Sequence, residues 1–276
     1  MILRISIVVA ALLVAAAAFA QNDPNLANPT QVVTVKRDGY AISALVTHLE
    51  SAKQPRFGIA LFPGHPGIMR LEEEAGRIKF TLGGNFLVRS RRWWLDDDIL
   101  VAVIDAPSDQ WSTFSQRFRE TARYGADVEA LIKAIGAKFN VSDWTYVGTS
   151  EGSVSAFHAA RMSPGLAKRV ILTASVFRVG RNGPGLSGVS YGDLTAQLLF
   201  VHHEGDPCEY TLYRDAQAHA KKSGKPLLTV RGGGPARGEA CMAQTQHGFV
   251  GVEVETVGAM RAWVTTGVVP ADVGRK

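Results

Sequence analysis

The sequence has no repeat period. Its 28 glycines and 12 prolines are scattered through 276 residues, and Gly232-Gly233-Gly234 is the only low-complexity run, so solenoid and collagen-like chains are excluded. Nor is charge of one sign in large excess: 30 basic against 25 acidic side chains leave +5, and the one basic cluster is Arg89, Arg91 and Arg92. With no recognised motif beside it, that cluster makes no case for a nucleic-acid partner. The glycine run is preceded by Arg231 and followed by Pro235-Ala236, so it lacks the Lys-Ser/Thr that completes a phosphate loop; no nucleotide or redox cofactor is implied. After residue 20 no segment is apolar for long enough to cross a bilayer, which takes about 20 such residues. What remains, 46% apolar and 20% charged, is the composition of a folded chain and excludes disorder.

The first 20 residues are different. One cation, Arg4, is followed by a mostly apolar run from Ile5 to Phe19 that closes in Ala18-Phe19-Ala20, the small-x-small pattern a signal peptidase reads. A membrane anchor is the other use of such a run, but it falls short of a full span, and polar Gln21-Asn22-Asp23-Pro24 follows the cleavage pattern. A signal peptide over 1–20, cut after Ala20, predicts a periplasmic or secreted protein in which 21–276 form a single domain. Both cysteines, Cys208 and Cys241, lie in that mature part and meet an oxidising compartment, where a disulfide between them is expected; two unrelated buried thiols are the alternative.

Residues 32–36 and 40–47 are rich in β-branched side chains and flank Arg37-Asp38-Gly39, so the mature chain opens on an antiparallel hairpin. Apolar runs at 57–62, 99–104, 145–147, 169–173, 198–202 and 227–230 read as strands buried on both faces. Between them, 118–139 carries apolar or small residues at steps of three and four, and 153–162 and 252–264 are similar. The alternation predicts an α/β domain: a mostly parallel sheet with helices on both faces. Five glycines and a proline between 177 and 193 exclude a regular helix there and predict either a wall of the ligand crevice or a plain surface connection.

Gly148-Thr149-Ser150-Glu151-Gly152 falls between an apolar strand and an Ala-rich helix. A serine presented on so sharp a turn needs glycines two residues either side, because side chains there would strike the neighbouring strand and helix. A serine hydroxyl is a poor nucleophile without a base, and the base needs a carboxylate to orient it. Both follow along the chain. Asp206 lies a few residues beyond the strand at 198–202, stiffened by Pro207, and His247 lies in a loop just before the last helix. Glu204 and Glu209 compete with Asp206 for the acid; His48, His158, His202, His203 and His219 sit on strands, helices or the hairpin end and lack His247's position. His202, His203, Asp206 and Cys208 could instead form a metal site, but adjacent strand residues point to opposite sides, so no metal is expected.

An acyl-transfer reaction also needs N–H donors for its oxyanion. Glu151, next after the serine, supplies one. The other belongs to Pro63-Gly64-His65-Pro66-Gly67, after the strand at 57–62; Pro66 has no N–H, and of Gly64 and His65 the latter is preferred. Trp93, Trp94 and Trp111 are either pocket-lining or core residues.

Taken together, the motif around Ser150, the order Ser150, Asp206, His247 and the 63–67 loop make the chain resemble the α/β-hydrolase superfamily over nearly all of its mature length. Pro63-Gly64 stands where His-Gly is usual in that family. The chain is also similar to exported bacterial members that carry an Asp-x-Cys, here Asp206-Pro207-Cys208, and a later cysteine, here Cys241. The resemblance implies an α/β-hydrolase fold and a serine hydrolase, a carboxylesterase first, acting on a small-molecule ester or acyl substrate through an acyl-enzyme on Ser150. Peptidase and thioesterase activities use the same parts, and a non-catalytic binding protein could keep the fold. The resemblance further implies that a Cys208–Cys241 bridge ties the acid loop to the base loop.

Overall fold

The computed structural model describes residues 28–269 and 272–274. The expected signal peptide over 1–20 lies outside the described residues. Thr30–Lys36 (β1) and Ala41–His48 (β2) form the antiparallel hairpin, with Thr30 opposite Thr47 and Lys36 opposite Ala41. Then come Phe57–Phe62 (β3), a small exposed ribbon of Glu72–Glu74 (β4) and Arg77–Lys79 (β5), and the short helix Phe86–Ser90 (α1). Ile99–Ile104 (β6) leads through Gln116–Arg119 (α2) and Ala122–Phe139 (α3) to Asp143–Thr149 (β7), Glu151–Met162 (α4) and Ala167–Thr173 (β8). Gln197–His203 (β9), Tyr213–Ser223 (α5), Leu227–Val230 (β10), Glu253–Thr266 (α6) and Asp272–Val273 (β11) complete the chain.

Nine strands share one sheet in the order β1-β2-β6-β3-β7-β8-β9-β10-β11; β2 runs antiparallel to both of its neighbours, and from β6 to β11 every pairing is parallel. All six residues of β3 and of β6 are buried, as strands covered on both faces must be. Along β6 the side chains alternate: Leu100, Ala102 and Ile104 meet α3, α4 and α5 in one core, while Ile99, Val101 and Val103 meet α1 and α6 in the other. Each such leucine or isoleucine, fully buried, contributes about 1.5–3 kcal/mol of transfer free energy.

The helical stretch expected over 118–139 is two helices. Thr121 breaks it: at ψ 147 it is extended, and its hydroxyl accepts a hydrogen bond from Tyr124 N, starting α3 afresh. Ala122 is exposed, and Tyr124 and Asp127 are buried. Asp127 tolerates burial because Tyr40 Oη and Arg37 Nε donate to it at 3.0 and 3.2 Å.

The adjacent strands β3 and β7 continue into helices on opposite faces, α1 in the one core and α4 in the other. At such a reversal the loops beyond the carboxyl ends part and leave a crevice, which is where Ser150 sits.

Candidate active site

Ser150 is the single residue between β7 and α4, held at φ 52, ψ −126, a conformation that costs a non-glycine residue about 1–3 kcal/mol. Neighbouring bonds hold it there: Ser150 N donates to Thr173 O at 3.1 Å, while Ser153 N and Oγ donate to Ser150 O at 2.9 and 2.6 Å. The flanking glycines leave room for the turn. A Cβ on Gly148 would lie 2.2 Å from Gly152 O, and one on Gly152 would lie 1.9 Å from Phe62 O.

Asp206, in the loop after β9, is buried with both carboxylate oxygens engaged. Oδ1 accepts from Cys208 N at 2.9 Å; Oδ2 accepts from Thr211 Oγ1 at 2.7 Å and lies 3.1 Å from His247 Nδ1. A carboxylate oxygen accepts in this contact, so Nδ1 of His247 is its donor. His247 stands on a one-turn 3-10 segment, Gln246–Gly248, where Thr245 Oγ1 accepts from its backbone N–H at 3.1 Å. Ser150 and His247 line one cavity of about 260 Å³, and no hydrogen bond joins them. Bonds of this kind often close only around a substrate.

The competing groups lie elsewhere. Glu204 pairs with Arg231 at 2.7 Å, and Glu209 is exposed. His202 Nε2 accepts from Ser175 N at 3.1 Å, and burial pushes its pKa down to about 4, so it is neutral. His203 Nε2 donates to Gly232 O at 2.9 Å, and Cys208 is bonded to Cys241. The four residues considered as a metal site therefore turn to separate partners, and among the described residues no group of three His, Cys, Asp or Glu could hold an ion. His48, His158 and His219 contact Leu49 O, Arg161 and Tyr191 Oη respectively. Trp94 is fully buried, while Trp93 and Trp111 pack partly buried against the two cores, so the tryptophans are core residues.

Among the described residues, neither His65 N nor Glu151 N donates to a backbone acceptor. The 63–67 loop runs against the serine: a Cβ on Gly64 would come within 3.0 Å of Ser150 Cβ. The side chains of His65 and Glu151 also meet, a contact with no local signal in the sequence. Glu151 Oε2 lies 3.2 Å from His65 Nδ1 and 3.6 Å from Arg119 Nη2, and Oε1 accepts from Gln116 Nε2 at 3.2 Å and Asn182 Nδ2 at 2.6 Å. Burial pushes the Glu151 carboxyl up, but the His65 hydrogen bond, the Arg119 charge and Asn182 outweigh it and bring its pKa down to about 2. The bond to Glu151 in turn raises the His65 pKa.

A second cavity of about 300 Å³ adjoins Ser150 on the Glu151 side; Gly180, Arg181 and Asn182 line it, so part of the glycine-rich 177–193 segment is a crevice wall. Cys241 borders both cavities, which puts the disulfide beside the serine. Behind the His247 loop, Arg89 of α1 donates through Nη2 to Gly248 O at 2.6 Å, Ala243 O at 3.0 Å and Glu253 Oε1 at 3.0 Å.

Neither a protein-family model nor a curated protein matches the sequence. Solved structures do match the fold. A Bacteroides ovatus chain assigned as a dipeptidyl aminopeptidase IV superposes with a TM-score of 0.58 at 12% identity, covering 86% of this chain and 36% of that one. A Thermoplasma acidophilum chain assigned as a CIB-like hydrolase gives 0.52 at 16% identity, over 85% of this chain and 99% of that one. A cold-adapted esterase from an Arctic intertidal metagenomic library gives 0.52 at 15%, over 74% and 84%. The present chain thus spans about a third of the length of the first and nearly all of the second.

Proposed function

Because the chain has the α/β-hydrolase fold that those structures share, we propose that it is a serine hydrolase, a carboxylesterase first, with Ser150 as nucleophile, His247 as base and Asp206 as the orienting acid. The observation that carries this reading is the left-handed Ser150 on the strand-to-helix turn, sharing a cavity with an imidazole whose far nitrogen is 3.1 Å from a buried carboxylate. Nε2 of His247 takes the Ser150 proton as Oγ attacks the ester carbonyl; the oxyanion that forms is received by the N–H groups of His65 and Glu151. The imidazolium, steadied by Asp206, returns the proton to the leaving alkoxide, and water repeats the cycle on the acyl-enzyme. Cavities of about 260 and 300 Å³ on either side of Ser150 suit an ester with modest groups at both ends. The disulfide, together with the signal-peptide pattern of 1–20, supports an exported single-domain enzyme made of residues 21–276.

A panel of esters, thioesters and aminoacyl amides, assayed with wild type and Ser150→Ala, tests the reading. Ester turnover that falls by about 10³-fold or more in the variant is expected. Faster turnover of the amides or thioesters reassigns the substrate class, and a folded protein inert to all three is a binding protein on this scaffold. Mass analysis of the exported protein should give Gln21 as its first residue.

A further inference from the structure

The side chain that follows the nucleophile is a carboxylate, buried and ionised, at the very start of α4. Both of its oxygens are engaged: Oε1 accepts from Gln116 and Asn182, and Oε2 lies 3.2 Å from His65 Nδ1 and 3.6 Å from the Arg119 guanidinium, the latter an ion pair longer than a hydrogen bond. A carboxylate turned to four protein groups, with its pKa brought down to about 2, has no proton to give, so acid catalysis does not explain its burial. What it does touch is the imidazole of His65, the other residue assigned above as an oxyanion donor. The loop is tied a second time: Arg119 Nη2 donates to Pro66 O at 2.9 Å, and Arg119 Nη1 donates to Ser155 Oγ of α4 at 2.7 Å.

We propose that the Glu151 carboxylate and the His65 imidazole form a strut that sets the spacing between the two oxyanion donors, which makes both side chains positioning groups for reaction at Ser150; this rests on the hydrolase reading above. The reason such a strut matters is geometric. The backbone N–H of Glu151 is fixed by the helix, whereas that of His65 belongs to a loop, and a donor misplaced by about 1 Å forfeits much of its effect on the developing charge. Tying the loop residue by its own side chain to the helix residue couples the two donors directly. Arg119 balances the buried charge, and Asn182, from the crevice wall, closes the network on its open side.

The rate at which an alkyl fluorophosphonate labels Ser150 reads the oxyanion site without knowledge of the natural substrate. His65 variants carry the test, because they leave the backbone N–H and the buried Arg119–Glu151 contact in place. His65→Ala should lower the limiting labelling rate about 10- to 30-fold, with the half-saturating probe concentration changed less than about threefold. His65→Gln, which can still donate to Glu151, should recover most of the loss. Glu151→Gln should resemble His65→Ala, and the double variant should label no more slowly than the poorer single one, since both remove the same link. His65→Ala labelling within twofold of wild type, or losses that multiply in the double variant, overturns the strut while leaving the hydrolase reading intact. A folded wild type that is never labelled overturns both.

Discussion

Thr211 shows how little of a site's support can be read one residue at a time. Its hydroxyl is fully buried, donates to Asp206 Oδ2 at 2.7 Å and lies 3.1 Å from His247 Nδ1, so it braces the Asp206–His247 pair. Valine there keeps the shape and removes the donor. Thr211→Val should cost about 1–2 kcal/mol of stability and lower kcat on the preferred ester several-fold with little change in KM, measured by urea unfolding and initial rates. An unchanged kcat would show that Asp206 is held well enough by Cys208 N and His247 alone. The positions of Ser150, Asp206 and His247 were legible because a turn needs glycines at fixed spacing and loops follow strands at short distance. Thr211 and the Glu151 network were not, because nothing local in a sequence marks a hydroxyl or carboxylate whose partners lie 36 or 86 residues away.

At the scale of elements, the strands at 57–62, 99–104 and 227–230 match β3, β6 and β10 residue for residue; in β3 and β6, burial on both faces leaves an unbroken apolar run. The β4–β5 ribbon left no such trace: its residues are almost all exposed, so no periodicity is imposed on them. Nor did α1, five residues long, although its Arg89 clamps the loop that carries His247. Arg89→Met should leave two loop carbonyls short of a donor and let the imidazole drift; a fall of about 10-fold or more in kcat, larger than the fall in labelling-probe affinity, is expected. The second clamp is covalent. Cys208 stands in the acid loop and Cys241 six residues before His247, so Cys208→Ser should lower activity and thermal stability together, by about 3–4 kcal/mol on the chain-entropy argument. A free-thiol assay finding two reactive thiols in the native exported protein contradicts the bridge itself.

Over the whole molecule, buried titratable groups away from the serine set the acid limit of the fold. Burial brings the pKa of His202, on β9, down to about 4, and burial with the nearby Arg161 charge does the same to His158 on α4. Unfolding returns both to the ordinary histidine value near 6.5, so between about pH 6.5 and 4 the unfolded chain binds protons that the folded one refuses. Their contribution is therefore complete above pH 6.5 and is lost as the pH falls toward 4, at a rate of up to about 1.4 kcal/mol per pH unit for each. Glu151 has the sign of a depressed carboxylate: its contribution is complete above about pH 4.5 and is lost as the pH drops toward 2. Acid should thus weaken the protein in two stages, the histidines first. Urea midpoints measured at half-unit steps from pH 7.5 to 3 should decline from near 6.5, and His158→Gln should make the upper stage shallower. A midpoint that stays level down to pH 4.5 would mean that both imidazoles gain their protons without opening the core.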